Sequence, residues 1–188
     1  CPVINGLTDQ AHPCQALADL FTLREVLGDL QGRTLAYVGD ANNVAHSLLV
    51  ACAKLGVRFA IASPPGYQFD SLFVTRVEKE FPDLSLLQTR DPVEAVRDAD
   101  AVYTDVWASM GQEAEKAIRS KAFAAYQVNE TLMKQAPAGA RFLHCLPAHR
   151  GEEVTNAVID GPQSDVIQQA ANRMHVQKGL LVWLLTEA

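Results

Sequence analysis

Short apolar runs and helix-period stretches alternate along most of this sequence, and that alternation limits the possible folds more than any other feature. The runs cover 34–38, 58–62, 84–88, 101–104 and 141–146, and each is bounded by Gly, Pro or polar residues. Uninterrupted apolar segments of this length, closed by turn residues, read as strands buried on both faces. The spacings between and after them predict helices over 43–55, 70–81, 92–98, 112–123, 152–159 and 165–185. A further helix is predicted at the start, from Pro13 to Leu27. There Ala16, Leu17, Leu20, Leu23 and Leu27 recur at three or four residues, Thr8 or Asp9 serves as the cap, and Gly28 and Gly32 break the pattern. Gly56 stops the 43–55 helix in the same way. Strands that alternate with helices must pair in parallel through right-handed crossovers.

The expected fold is therefore α/β: a doubly wound, mainly five-stranded parallel sheet, Rossmann-like, with helices on both faces. Such sheets bind ligands in the crevice beyond the carboxyl ends of their strands. The polar residues just after each strand are thus the candidates for function, namely 40–43, Ser63, 105–110 and 144–147. The stretch Pro162-Gln163-Ser164 is the best candidate boundary, separating a long terminal helix from the sheet.

Composition narrows the function classes. With 188 residues, 48% hydrophobic and 20% charged, the chain can bury a full core without disulfide or metal staples. A net charge of -6 argues against a nucleic-acid partner, and the longest apolar stretches, 48–53 and 179–185, are far short of a membrane span. Cysteines at 1, 14, 52 and 145 form neither a Cys-x-x-Cys pair nor a regular framework, and read as reduced thiols of a cytosol-like compartment. No secretory or transit segment opens the chain, and the first residue is Cys1 rather than Met, so the sequence reads as part of something longer. Cys1 as an N-terminal nucleophile would call for sandwiched sheets, which the alternating pattern does not suit.

Several constellations could carry chemistry. Gly39-Asp40-Ala41-Asn42-Asn43 follows the first strand with a single glycine, too few for a dinucleotide loop. Its amides at a helix N-terminus suit a small carboxylate, or else a plain Asn cap. Asp105 follows the fourth strand and could hold an ammonium, with Ser109-Met110-Gly111 as a movable cover; the alternatives are a capping Asp and a core Met. His144-Cys145 at the end of the fifth strand suggests a Cys–His nucleophile. Strand neighbours face opposite ways, however, so the two should not meet, and Cys145 is either a buried structural thiol or a polarizable contact to an amine. His12 and Gln15, three apart at a helix start with Pro13 between, share a face and could donate to one carbonyl oxygen, although a lone His is commonly structural. Arg173 is either an exposed helical arginine or a fixed cation aimed at a developing oxyanion.

Taken together and in order, His12-Pro13-Cys14-Gln15, Gly39-Asp40-Ala41-Asn42-Asn43, Asp105-Val106-Trp107-Ala108-Ser109-Met110-Gly111, His144-Cys145-Leu146-Pro147 and Asn172-Arg173 closely resemble the ornithine carbamoyltransferases. The aspartate carbamoyltransferases share the His-Pro-x-Gln element but lack the Ser-Met-Gly loop and the His-Cys-Leu-Pro stretch. The acetylornithine and putrescine relatives also differ in the Ser-Met-Gly loop. Two departures stand out. Nothing matches the family's Ser-x-Arg-Thr phosphate-binding motif or its further Arg, and Ala171 stands where many relatives have Glu.

The resemblance implies three parts. Residues 1–30 form a linking helix carrying the His-Pro-Cys-Gln motif, 31–161 an ornithine-binding α/β domain, and 162–188 a C-terminal helix that packs back on an absent carbamoyl-phosphate domain. It implies transfer of a carbamoyl group from carbamoyl phosphate to the δ-amine of L-ornithine, giving L-citrulline and phosphate, with the isolated chain nearly inactive. His12, Pro13, Cys14, Gln15, Cys145, Leu146 and Arg173 would hold carbamoyl phosphate. Asn43, Asp105, Ser109, Met110, Cys145 and Leu146 would hold ornithine, and His12, Gln15, Asp105, Cys145 and Arg173 would be catalytic. In such an acyl transfer, negative charge grows on the carbamoyl oxygen, so pre-aimed donors lower the barrier. The amine, with a pKa of roughly 10, must first lose a proton. No metal or organic cofactor is called for. The parent would be a cytoplasmic trimer of arginine biosynthesis, with its trimer contacts largely in the absent domain. The competing reading is a non-catalytic amino-acid-binding or oligomerisation module of Rossmann type.

Overall fold

A computed structural model describes residues 1–108 and 113–186. Five strands, β1 (Thr34–Val38), β2 (Arg58–Ala62), β3 (Leu86–Thr89), β4 (Ala101–Thr104) and β5 (Arg141–His144), form one sheet in the order β3-β2-β1-β4-β5, every pair parallel. The helices are α1 (Pro13–Leu27), α2 (Asn43–Lys54), α3 (Ser71–Glu80), α4 (Pro92–Val96), α5 (Lys116–Phe123), α6 (Glu130–Met133), α7 (Asn156–Ile159) and α8 (Val166–Thr186).

Both faces of the inner strands are covered. Leu35, Tyr37, Phe59, Ile61, Tyr103 and Leu143 face a core shared with α1 and α2, including Leu20, Leu23, Leu48 and Leu49. Their alternate neighbours Ala36, Val38, Ala60, Ala62, Val102 and Phe142 face a second core with Val96, Trp107, Phe123 and Leu132. Period-2 alternation between two dry faces is why these strands read as continuous apolar runs. The edge strand β3 has no fully buried residue and starts two residues later than its sequence suggests.

Several boundaries differ from expectation for local reasons. Helix α1 is capped by His12, without a side-chain hydrogen bond. Thr8 does not cap it; its hydroxyl oxygen accepts from Ala11 N (3.1 Å) in a turn ahead of the helix. Strand β5 stops at His144 because Leu146 turns the chain at φ 54°. The expected 112–123 helix begins, among the described residues, as a 3-10 turn over Glu113–Glu115 before α5. Helix α6, four residues capped by Asn129, is too short to leave a period in the sequence, and α7 begins only at Asn156, capped by Thr155. Gly28 (φ 75°) and Gly56 (φ 65°) close α1 and α2 in conformations that a side chain would strain.

Residues 162–164 run along the outer edge of β5, where Phe142 N donates to Gln163 O (2.8 Å) and Asp165 N to Phe142 O (2.9 Å). From there α8 returns along α1. Among the described residues no helix is long and apolar enough to cross a membrane.

Candidate active site

Strand order reverses between β1 and β4, so the segments leaving them diverge and open a crevice at their carboxyl ends. A cleft of about 450 Å³ lies there, lined by His12 and Gln15 of the α1 start, Asn43 of α2, Asp105 after β4, Cys145 and Leu146 after β5, and Arg173 of α8. A second hollow of about 540 Å³ lies near α6 and α7, but Glu130, Lys134 and Gln163 are its only polar side chains, and it gathers no comparable set of groups.

Asp105 forms one wall. Its carboxylate is buried, accepting from Asn42 Nδ2 (2.7 Å), from its neighbour Val106 N (2.8 Å) and from the Cys145 thiol (3.0 Å). Asn42 is itself immobilised, because its Oδ1 caps α2 by accepting from Val44 N (3.0 Å) and Ala45 N (3.1 Å) and also takes the Tyr37 hydroxyl (3.2 Å). Burial, and then the Asp105 charge, push the Cys145 thiol well up, so it is a protonated donor rather than a nucleophile. Beneath it the stacked Tyr37 and Tyr103 rings, 5.6 Å apart, are held neutral by burial.

His144 and Cys145 come nearer than strand alternation allows, because Cys145 lies past the end of β5. Ligand atoms of Asp105, His144 and Cys145 all fall within 4.8 Å of one another. No hydrogen bond joins the histidine to the thiol. His144 Nδ1 accepts from Leu146 N (2.9 Å), which leaves the ring proton on Nε2, facing Glu153 Oε1 at 3.2 Å. This trio is therefore poorly disposed to take a metal, since both ring nitrogens are engaged and the thiol keeps its proton. In the second such group the His149 and Glu152 ligand atoms stand 4.0 Å apart, and Glu152 also pairs with Lys116.

The opposite wall is built by α1 and α8. His12 is pinned by its backbone N–H on Ser47 Oγ (2.8 Å). Burial, followed by the Arg173 charge, lowers its pKa, so the imidazole is uncharged at neutral pH. Arg173 Nη1 donates to Gln15 Oε1. Gln15 Nε2 donates in turn to Asp19 Oδ1 (2.7 Å), which also accepts from Gln169 Nε2 (2.6 Å), and Gln169 Oε1 takes His144 N (3.0 Å). Asp19 is fully buried. Desolvation raises its pKa to about 7, against the opposing pull of the Gln169 and Gln15 hydrogen bonds.

Two family models match this chain. "Aspartate/ornithine carbamoyltransferase, Asp/Orn binding domain" matches residues 31–184, and "Aspartate/ornithine carbamoyltransferase, carbamoyl-P binding domain" matches residues 1–25. The chain belongs to the aspartate/ornithine carbamoyltransferase family. It is 59% identical to the ornithine carbamoyltransferase of Anoxybacillus flavithermus over 98% of its own length and 59% of that relative's. With the Bacillus subtilis ornithine carbamoyltransferase the identity is 55%, over 98% of this chain and 58% of the relative. Among solved structures it is similar to the ornithine carbamoyltransferase from Pyrococcus furiosus, with TM-score 0.90 and 54% identity over 96% of this chain and 58% of that one. The chain thus spans about three-fifths of the length of the relatives it matches.

Of the residues singled out in this member of the aspartate/ornithine carbamoyltransferase family, His12, Gln15, Asn43, Asp105, Cys145, Leu146 and Arg173 line the one cleft. Pro13 and Cys14 do not. Pro13 borders a separate apolar hollow beside Phe73, and the buried Cys14 thiol points at Asn5 O (3.5 Å), because only positions three or four from His12 share its helix face. Asn43 reaches the cleft with its Nδ2 donating to Thr8 O (2.7 Å), so Asn42, not Asn43, is the cap. Gln15 turns its carbonyl to Arg173 and one N–H to Asp19, which makes it a partner of the guanidinium first and a ligand donor second. Ser109 and Met110 lie outside the described residues. Sequence reading missed Asp19 and Gln169, although each left a signal. Asp19 is a charge four residues after Gln15 on an otherwise buried face, and Gln169 lies four before Arg173.

Proposed function

We propose that this chain is the ornithine-binding part of an ornithine carbamoyltransferase, which moves the carbamoyl group of carbamoyl phosphate to the δ-amine of L-ornithine and releases L-citrulline and phosphate. The observation that carries this is the facing of two walls across one cleft: a buried, tethered carboxylate at Asp105, and a cationic donor at Arg173 beside a neutral His12. An amino acid with a cationic end suits the first wall, and a carbonyl oxygen gaining negative charge suits the second. Donors fixed before reaction lower the barrier without reorganising. Asp105 would grip the α-ammonium, Asn43 the carboxylate side, and Cys145 with the Leu146 backbone the junction where the amine meets the carbamoyl carbon. Ser109 and Met110 are assigned to the ornithine side on family resemblance alone.

In this reading residues 1–30 link to a carbamoyl-phosphate domain, 31–161 bind ornithine, and the 162–188 helix packs on the partner domain. The match of residues 1–25 to the carbamoyl-phosphate domain model supports the link. So do Leu181, Val182 and Trp183, which leave an apolar stretch of α8 exposed. The assembled enzyme is proposed as a cytoplasmic trimer of arginine biosynthesis on family resemblance. Calorimetry of this chain with L-ornithine should show weak binding that Asp105→Asn abolishes. Citrulline should form only when a carbamoyl-phosphate domain is supplied. No citrulline from the complete enzyme would refute the assignment.

A further inference from the structure

We propose that Asp19 is a positioning residue: by accepting an N–H from Gln15 it turns the Gln15 carbonyl oxygen toward Arg173 and so holds the guanidinium at the wall of the cleft. The chemistry of the three groups leaves one arrangement. A guanidinium only donates, and above about pH 7, where Asp19 is ionised, its carboxylate only accepts, so an amide between them must show oxygen to the first and nitrogen to the second. The observed bonds follow that order, from Arg173 Nη1 to Gln15 Oε1 and from Gln15 Nε2 to Asp19 Oδ1 at 2.7 Å.

Asp19 is anchored independently of Gln15. Gln169 donates to the same Oδ1 at 2.6 Å, and Gln169 is fixed to β5 through His144 N at 3.0 Å. Gln15 and Asp19 are four apart on α1, and Gln169 and Arg173 are four apart on α8, so the two pairs meet face to face where the helices pack. Gln15 is the sole hydrogen-bond partner of the Arg173 side chain among the described residues, and Arg173 Nε is buried without one. The guanidinium is thereby held at one corner, which leaves the Nη2 donors uncommitted to any other side chain among the described residues. The role deepens the reading of Arg173 as a carbamoyl-oxygen donor and rests on it for its catalytic meaning, whereas the orientation itself does not.

The test is nitrogen-15 NMR of the unliganded 188-residue chain at about pH 8, above the value of about 7 at which Asp19 ionises, following the Arg173 Nε–H and the Gln15 side-chain amide. With Asp19→Leu, exchange of the Arg173 Nε proton with solvent should accelerate roughly tenfold or more while backbone amides of β4 and β5 keep their protection. Asp19→Asn retains an acceptor oxygen and should stay within about twofold of the parent. An Arg173 exchange rate unmoved by Asp19→Leu overturns the proposal, and so does an asparagine variant that frees Arg173 as fully as leucine does. If the leucine variant fails to fold, Asp19→Asn decides alone. Loss of the acceptor charge must move the Gln15 amide proton upfield, and unmoved Gln15 signals overturn the proposal. Because no substrate is present, a failure here is distinct from a failure to bind ornithine or make citrulline.

Discussion

Replacing Asp19 by asparagine should make the protein more stable, and by an amount that grows with pH. The carboxyl sits near 7 in the folded chain against an ordinary value of 3.8 for an exposed aspartate. Between those values the native state keeps a proton that the unfolded chain releases. The stability carried by the protonated group is complete below about pH 3.8, falls as pH rises, and has been lost once the folded group ionises near 7. At about 1.4 kcal/mol for each pH unit in that interval, the full penalty is about 4 kcal/mol. Asparagine keeps the acceptor oxygen for Gln15 and Gln169 and never ionises. Urea unfolding of both proteins at about pH 4.5 and pH 8 isolates the effect, since every other titrating group is common to the two and cancels. The asparagine variant should gain on the parent by about 3 kcal/mol across that range. A difference that stays constant with pH would refute the reasoning, because it would mean that Asp19 titrates alike folded and unfolded. A buried charge that lowers stability and orders a cleft fits the general trade between stability and function.

Three other outcomes follow from the geometry. Alkylation of the native protein at about pH 8 should label exposed Cys1 and spare buried Cys14 and Cys52, and also half-buried Cys145, whose thiol stays protonated on Asp105, until urea is added, as read by peptide mass spectrometry; prompt native labelling of Cys145 would contradict its protonated state. Arg119→Ala breaks a buried pair with Asp40 (2.6 Å) and a bond to Trp107 O (3.0 Å), and should cost about 3–5 kcal/mol in urea unfolding, part of it recovered by adding Asp40→Asn. Asn42→Ala removes both the α2 cap and the Asp105 tether. It should cost about 1 kcal/mol of stability and weaken ornithine binding, and an unchanged affinity by calorimetry would show that Asp105 needs no tether.

Legibility of the fold tracked burial. Strands β1, β2 and β4 stand where the apolar runs place them, because nearly every residue in them is buried on one face or the other. The edge strand β3 and the four-residue α6 were blurred or invisible, the first because solvent interrupts its pattern and the second because one turn has no period. At the site, His12 and Gln15 were legible as an i,i+3 pair, and Asp105 and Cys145 as strand-end residues. Pro13 and Cys14 were carried along by adjacency in the motif, although a helix turns them away from the cleft. Asn42 and Asn43 were indistinguishable until the cap showed which of them holds Asp105.

The sequence by itself determined the alternation of elements, the parallel sheet and the set of polar residues at the strand ends, since these depend on periods of two and about four residues within short windows. Only the tertiary structure decided which way the Gln15 amide faces, that Asp19 stands behind it, and that Arg173 reaches the cleft at all. Those are contacts between residues about 150 positions apart in the chain, such as Asp19 with Gln169, and no local period records them.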